Sequence, residues 1–129
     1  MLASKPHLIL RSAGIKTPAF PALWAPKEAD LLIDCRVVKD PSHYVPGGGT
    51  SLEVQEWLLQ NSSGALFQIY YLVGEGIEMI PERRKEKEDP YKDPFKILFF
   101  CAHGLHRSPA TKHIIGRWLR EDGYEVSIE

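Results

Sequence analysis

The sequence lacks several features that identify secreted, membrane-spanning or strongly nucleic-acid-binding proteins. It has only two cysteines in 129 residues, too few for a disulfide framework. Sixteen lysines and arginines against seventeen acidic residues leave a formal net charge of −1, so no overall basic field attracts RNA or anionic membranes. No apolar run is long enough to cross a bilayer, and the first residues do not follow a signal-peptide pattern. These absences predict a cytoplasmic protein with no membrane partner.

The composition is that of a packed α/β domain. Hydrophobic residues make up 43% of the chain and charged residues 26%, and the length suits one domain spanning residues 1–129. Apolar runs with strand character alternate with helical patterns. The predicted strands cover residues 7–11, 29–36, 96–101 and 124–128, and the predicted helices cover residues 50–61, 66–80 and 108–122. This alternation predicts a mostly parallel sheet flanked by helices, with ligands beyond the carboxyl ends of the strands.

The boundaries of these elements depend on local signals. Ser12-Ala-Gly14 predicts a turn after the first strand, and Thr50 with Glu53 has the spacing of a capping box. Residues 66–80 include LFQIYYLV, which suits a strand or a buried helix, although its length and spacing favour a helix. Prolines and glycines predict loops over residues 17–26 and 40–49, and mixed charges over residues 82–96 predict a mobile, solvated connector.

The segment CAHGLHRS joins the third predicted strand to the last predicted helix. Helix N-termini bind anions through unpaired N–H groups and the helix dipole, so this loop is a candidate phosphate site. Gly104 allows close backbone approach, Arg107 supplies a bidentate cation, and Ser108 is predicted to cap the helix. The candidate ligand-binding residues are Cys101, Ala102, His103, Gly104, Leu105, His106, Arg107 and Ser108. Two histidines beside Cys101 raise the alternative of a metal site, but the spacing of paired zinc ligands is missing, so neither metal nor cofactor is expected.

Asp34 and Arg36 lie at the end of the second predicted strand, where they project to the same side and belong to the edge of the sheet that carries the loop. They are candidate ligand-binding residues, or else partners in a structural ion pair. Cys35 between them points the other way and is expected in the core.

The loop also resembles the Cys-x5-Arg-Ser-Pro motif of low-molecular-weight protein tyrosine phosphatases. That resemblance implies a nucleophilic Cys101, a phosphate clamp at Arg107 and an aspartate as general acid. The Asp-Pro pair at Asp89 matches the family's acid motif, yet it lies before the loop rather than far after it. Asp34 is better placed for that role.

A second resemblance covers most of the chain, from about residue 8 to the end. The segments RSAGIKTPAFPALWAPKEADLLIDCRVVKDPSHYVP, SLEVQEWLL and CAHGLHRSPA follow the order of the C-terminal domain of the RNase adapter protein RapZ family. The resemblance implies a domain that binds glucosamine-6-phosphate and small regulatory RNA, and it implies homo-oligomers. Leu105 replaces a basic residue of the family's loop, which weakens the RNA expectation because phosphate contacts dominate RNA affinity. The leading hypothesis is a domain that binds a phosphate-bearing ligand, either a sugar phosphate or a nucleotide or RNA phosphate, without turning it over. A cysteine phosphatase and an RNA-binding adaptor are the alternatives.

Overall fold

The structure, a computed structural model, describes residues 5–16 and 28–129, so the proline-rich passage at residues 17–26 lies outside it. Strands and helices alternate along the described chain. The strands are β1 (Leu8–Gly14), β2 (Leu31–Asp34), β3 (Phe95–Cys101) and β4 (Val126–Ile128). The helices are α1 (Leu52–Asn61), α2 (Ser63–Glu78), α3 (Ile80–Arg83) and α4 (Arg107–Glu121), and a short 3-10 turn covers Cys35–Val37.

The four strands form one sheet in the order β2-β3-β1-β4, and every neighbouring pair is parallel. This confirms the predicted α/β fold. Gly14 at the end of β1 lies opposite Cys101 at the end of β3, and Asp34 at the end of β2 lies opposite Phe100. The carboxyl ends of three strands therefore meet at one edge of the sheet.

The main core lies on the face of the sheet that carries the helices. Alternate residues of β3 point to this face, because successive side chains on a strand point to opposite sides. Phe95, Ile97, Phe99 and Cys101 are buried there with apolar residues of α1, α2 and α4. Leu98, on the opposite face, is also fully buried and belongs to a smaller cluster with Ala13.

The first strand is longer than predicted. The expected turn at Ser12-Ala-Gly14 is wrong, because these residues continue β1 and pair with Phe99–Cys101. Serine and glycine are poor strand formers on average, but here they continue a central strand by pairing with β3 beyond the last residue paired with β4. Tertiary pairing of the backbone outweighs the local turn signal.

The ambiguous segment LFQIYYLV is helical, as its spacing predicts. Leu66, Ile69, Val73 and Ile77 form the buried stripe of α2, at intervals of three and four residues. The capping box at Thr50 is wrong: Ser51 is the N-cap of α1 and makes no side-chain capping bond. Within residues 5–16 and 28–129, none of the helices combines the length and the hydrophobicity that a membrane span requires.

The charge-rich segment over residues 82–96 is organised around Arg84. Its guanidinium donates to the carbonyl oxygens of Pro90, Asp93 and Pro94, at 3.0, 2.8 and 3.0 Å. Lys87 pairs with the carboxylate of Asp93. The expected loose connector is thus folded around one arginine, and Asp93 lies before β3, at the opposite end of that strand from Cys101.

Two leucines of α1 differ in burial and should therefore differ in their contribution to stability. Leu58 is fully buried, whereas Leu52 is 67% exposed in the first turn of the same helix. We expect Leu58→Ala to lower the free energy of unfolding by about 2–5 kcal/mol, because it leaves a cavity, and Leu52→Ala to change it by less than about 0.5 kcal/mol. Urea denaturation measures both values. Equal losses in the two variants would contradict the assignment.

Candidate functional site

The segment singled out in the sequence lies where β3 ends and α4 begins. The N-cap of α4 is His106, which makes no side-chain capping bond, and the first helical hydrogen bond runs from the Ala110 N–H to the His106 carbonyl at 3.1 Å. The N–H groups of His106, Arg107 and Ser108 therefore have no acceptor within the helix. These donors and the helix dipole make the loop favourable for an anion.

Ser108 has a different role from the one predicted. It is the second residue of α4, not its cap, and it is fully buried. Its hydroxyl donates to the carbonyl of Ala13 at 3.3 Å, and its Oγ lies 3.1 Å from Cys101 Sγ. A serine inside the first turn can satisfy its hydroxyl on a neighbouring strand, and this contact fixes α4 against the ends of β1 and β3.

Two glycines bring the end of β1 against the loop. A Cβ on Gly14 would lie 2.2 Å from the carbonyl carbon of His103, and a Cβ on Gly104 would lie 2.5 Å from the backbone nitrogen of Gly14. Gly104 also has a φ of +74°, which other residues rarely adopt. The N–H groups of residues 15–16 donate to the carbonyls of residues 101–102, each at 2.9 Å. Only residues without side chains allow this close backbone contact.

The two cysteines lie in different surroundings. Cys101 ends β3, as predicted, and its Sγ accepts the Gly104 N–H at 3.2 Å at the base of the loop. Cys35 is fully buried in the core, also as predicted, and burial raises the pKa of its thiol. Of the two thiols, only that of Cys101 faces the candidate site.

Asp34 and Arg36 form the ion pair that the sequence left open as an alternative to a ligand-binding role. The Arg36 Nε lies 2.9 Å from Asp34 Oδ1 and Nη2 lies 2.8 Å from Oδ2, while the Arg36 N–H also donates to Oδ1. The hydrogen bond from the Arg36 side chain lowers the pKa of Asp34. Both carboxylate oxygens are engaged, so Asp34 is held as a charged partner of Arg36.

Arg107 lies beside this pair. Its Nη1 donates to the carbonyl oxygen of Arg36 at 3.3 Å. Among the described residues Arg107 forms no ion pair within 4.0 Å. Its charge is therefore available to an anion at the loop, whereas that of Arg36 is largely balanced by Asp34.

The loop over residues 40–49 packs against the loop that joins β3 to α4. The Gly49 N–H donates to the Leu105 carbonyl at 2.8 Å, and a Cβ on Gly49 would lie 2.5 Å from the His106 carbonyl oxygen. This contact brings Asp40 to a cavity of about 30 Å³ whose other lining residues are Cys101, His103, Gly104, Leu105, His106 and Arg107. The cavity occupies the position expected for an anion.

Asp40 was not among the candidates taken from the sequence. The backbone N–H of Ser42 donates to Asp40 Oδ1 at 3.0 Å and, with smaller contributions from Arg107 and His106, lowers the pKa of Asp40. The local signal was an Asp-Pro pair opening a loop, a pattern that usually marks only a turn. Its approach to Cys101 depends on how two distant loops pack together.

His103 and His106 belong to no cluster of metal-ligating side chains within the part of the chain that the structure describes. In residues 5–16 and 28–129 no group of three or more metal-ligating side chains comes together. His103 and His106 line the cavity, and Leu105 is 63% exposed.

The fold and the junction define a parallel α/β domain with a glycine-containing loop that joins its third strand to its last helix. Residues 12–129 match the family model of the RapZ C-terminal domain, so the chain belongs to that family. This confirms the resemblance seen in the sequence.

Two relatives show the extent of the similarity. A protein of Ruegeria sp., named a nucleotide-binding protein, is 29% identical over 109 residues, covering 80% of this chain and 34% of the relative. A protein of Symbiobacterium thermophilum with the same kind of name is 31% identical over 108 residues, covering 79% of this chain and 33% of the relative. The chain thus spans about a third of these relatives. These comparisons give no support to the phosphatase resemblance.

A glycine-to-alanine substitution should have opposite effects on stability at Gly104, which contacts Gly14, and at Gly74, which contacts nothing through an added Cβ. Gly104→Ala should destabilise the protein by more than about 1 kcal/mol, because the positive φ and the contact with Gly14 both oppose a Cβ. Gly74→Ala, within α2, should be neutral or stabilising by up to about 1 kcal/mol, because an added Cβ would meet open space there. Thermal and urea unfolding measure both. A neutral Gly104→Ala would show that the close contact is not required.

Proposed function

We propose that the chain binds the phosphate group of a small phosphorylated ligand at the loop between β3 and α4. The observation that carries the proposal is a coincidence of three features: uncapped N–H groups of α4, an arginine without a carboxylate partner among the described residues, and a small cavity at one point. The relatives' name, nucleotide-binding protein, supports a phosphate-type ligand in a general way. That name belongs to proteins about three times as long as the matched region.

Different residues of the loop between β3 and α4 would make different contacts with the phosphate. The loop backbone, apart from the Gly104 N–H that donates to Cys101 Sγ, and the first turn of α4 supply N–H donors, and Arg107 supplies a charge-assisted, bidentate contact to two phosphate oxygens. Gly104 lets the backbone approach, and Cys101 closes the base of the site. Asp34 holds Arg36 at the rim and largely balances its charge, so Arg107 is the main cation for the phosphate.

The size of the cavity limits what it holds. One water needs roughly 10–15 Å³ of such space, so about 30 Å³ accepts part of a phosphate but not a sugar ring. The remainder of the ligand must extend over the rim. A sugar phosphate such as glucosamine-6-phosphate and a nucleotide both meet this requirement.

Calorimetry with inorganic phosphate and with glucosamine-6-phosphate tests the proposal. We expect heat of binding with the wild type, and we expect Arg107→Ala to weaken binding at least tenfold, since hydrogen bonds to charged groups are worth about 1.5–3 kcal/mol. Arg107→Lys should give an intermediate loss because it keeps the charge but not the bidentate geometry.

Arg83→Ala is the matched control. Arg83 donates to the carbonyl of Asp30 before β2, at the opposite edge of the sheet, so removing this charge should leave binding unchanged. Equal losses in the two alanine variants would indicate a general charge effect. If neither inorganic phosphate nor glucosamine-6-phosphate gives heat of binding, the proposal of a phosphate site at this loop is refuted.

The surroundings of Cys101 favour cysteine-dependent phosphatase activity as the second candidate. Its Sγ lies at the base of the cavity, accepts the Gly104 N–H at 3.2 Å and is 3.1 Å from Ser108 Oγ in the first turn of α4, and a helix N-terminus is a favourable position for a nucleophilic cysteine. The thiolate would attack phosphorus as the P–O bond to the leaving group breaks, and water would then release phosphate from sulfur. Asp40 is the nearby carboxyl group, but its lowered pKa makes it a weak proton donor at neutral pH.

The second candidate predicts hydrolysis of p-nitrophenyl phosphate that Cys101→Ser abolishes while binding of inorganic phosphate persists. Release of p-nitrophenolate measures turnover, and Cys35→Ser controls for general effects of losing a thiol. Hydrolysis no faster than in buffer, or activity that survives Cys101→Ser, would reject the phosphatase candidate and leave phosphate binding as the proposed function.

A further inference from the structure

An aromatic pair lies next to the candidate phosphate site. Tyr44, in the loop that follows Asp40, stacks on Trp57 of α1 with ring centroids 5.1 Å apart and planes inclined by 16°. Trp57 is partly buried against the core, whereas Tyr44 is 72% exposed. The inner ring is thus held by the fold, and the outer ring presents a flat surface to solvent.

The chain around Tyr44 is held in a compact turn. The N–H groups of Tyr44 and Val45 both donate to the carbonyl of Pro41, at 2.9 and 3.0 Å. The backbone N–H of Lys39 donates to Ser62 Oγ at 3.0 Å, which attaches the start of the turn to the end of α1. The exposed ring is therefore supported by its backbone as well as by Trp57.

The aromatic pair and the phosphate loop border adjoining cavities. One cavity, of about 440 Å³, is lined by Lys39, Asp40, Tyr44, Trp57 and Asn61. The small cavity at the loop is lined by Asp40 together with residues 101–107. Asp40 is common to both linings, so the two cavities meet at this carboxylate.

We infer that the phosphorylated ligand is a ribonucleotide, with its phosphate at the β3–α4 loop, its ribose beside Asp40 and its base stacked on Tyr44. The inference rests on the proposed function and adds to it the class of ligand. An aromatic ring stacks on the face of any base, and a carboxylate accepts hydrogen bonds from ribose hydroxyls. The order of these groups along the cavities is the order of phosphate, sugar and base in a nucleotide.

The polar groups around the rings suit the edge of a base. Asn61 Nδ2 donates to the carbonyl of Trp57 at 2.9 Å, which leaves its Oδ1 as an acceptor. Lys39 adds a cationic donor at the same cavity. Asp40 remains charged near neutral pH because the Ser42 N–H stabilises its carboxylate and lowers its pKa, so it accepts hydrogen bonds rather than donating them.

A sugar phosphate without a base uses less of this surface. Its ring would reach Asp40, but the stacking surface of Tyr44 would remain uncovered. The difference is measurable, since base–aromatic stacking corresponds to roughly a tenfold gain in affinity or more.

Calorimetry on the full chain compares adenosine 5′-monophosphate, ribose 5-phosphate and inorganic phosphate. We expect the nucleotide to bind about tenfold more tightly than ribose 5-phosphate. Tyr44→Ala should abolish that difference without changing the affinity for inorganic phosphate, and Tyr44→Phe should retain it. Tyr71, on α2 and 69% exposed, offers the matched control, and Tyr71→Ala should behave as wild type.

The role of Asp40 is tested separately with 2′,3′-dideoxyadenosine 5′-monophosphate. The wild type should prefer the ribonucleotide, and Asp40→Asn should reduce that preference. If inorganic phosphate binds but the nucleotide gains nothing over ribose 5-phosphate, the inference is overturned and the proposed function stands. If none of the ligands binds, both are overturned.

Discussion

The close backbone contact between Gly14 and Gly104 is the constraint on which the site depends. It continues the pairing of β1 with β3 beyond the ends of the strands and sets where the loop leaves the sheet. A Cβ on either residue would overlap backbone atoms of the other segment. Because the loop is held at this point, the first turn of α4 is directed toward the carboxyl edge with its N–H groups uncapped.

Charge at this edge is arranged unevenly. Arg36 is balanced by Asp34 through two side-chain hydrogen bonds, whereas Arg107 donates to a backbone carbonyl. Asp40 enters from a third segment and is kept ionised by a backbone N–H that lowers its pKa. A bound phosphate would therefore meet Arg107, which has no carboxylate partner among the described residues. Asp40, close by, would accept a hydrogen bond from a hydroxyl group of the ligand.

Residues with periodic or local signals were predicted well. The buried stripe of α2 follows from spacing alone, as does the strand that ends at Cys101. The Asp34–Arg36 pair was an open alternative, and its two members are only two residues apart in the chain. Ser108 was misassigned because capping statistics describe an isolated helix end, whereas here the Ala13 carbonyl lies within reach of its hydroxyl.

The alternation of strands and helices, the position of the loop and the family could all be predicted from the amino-acid sequence, because each depends on short-range pattern or residue identity. Three features became visible only in the folded chain: Ser12–Gly14 belongs to a strand, Asp40 reaches the cavity at Cys101, and Tyr44 stacks on Trp57. These features join segments far apart in the chain. Their contacts are set by parallel pairing and packing across the sheet edge, which no local pattern encodes.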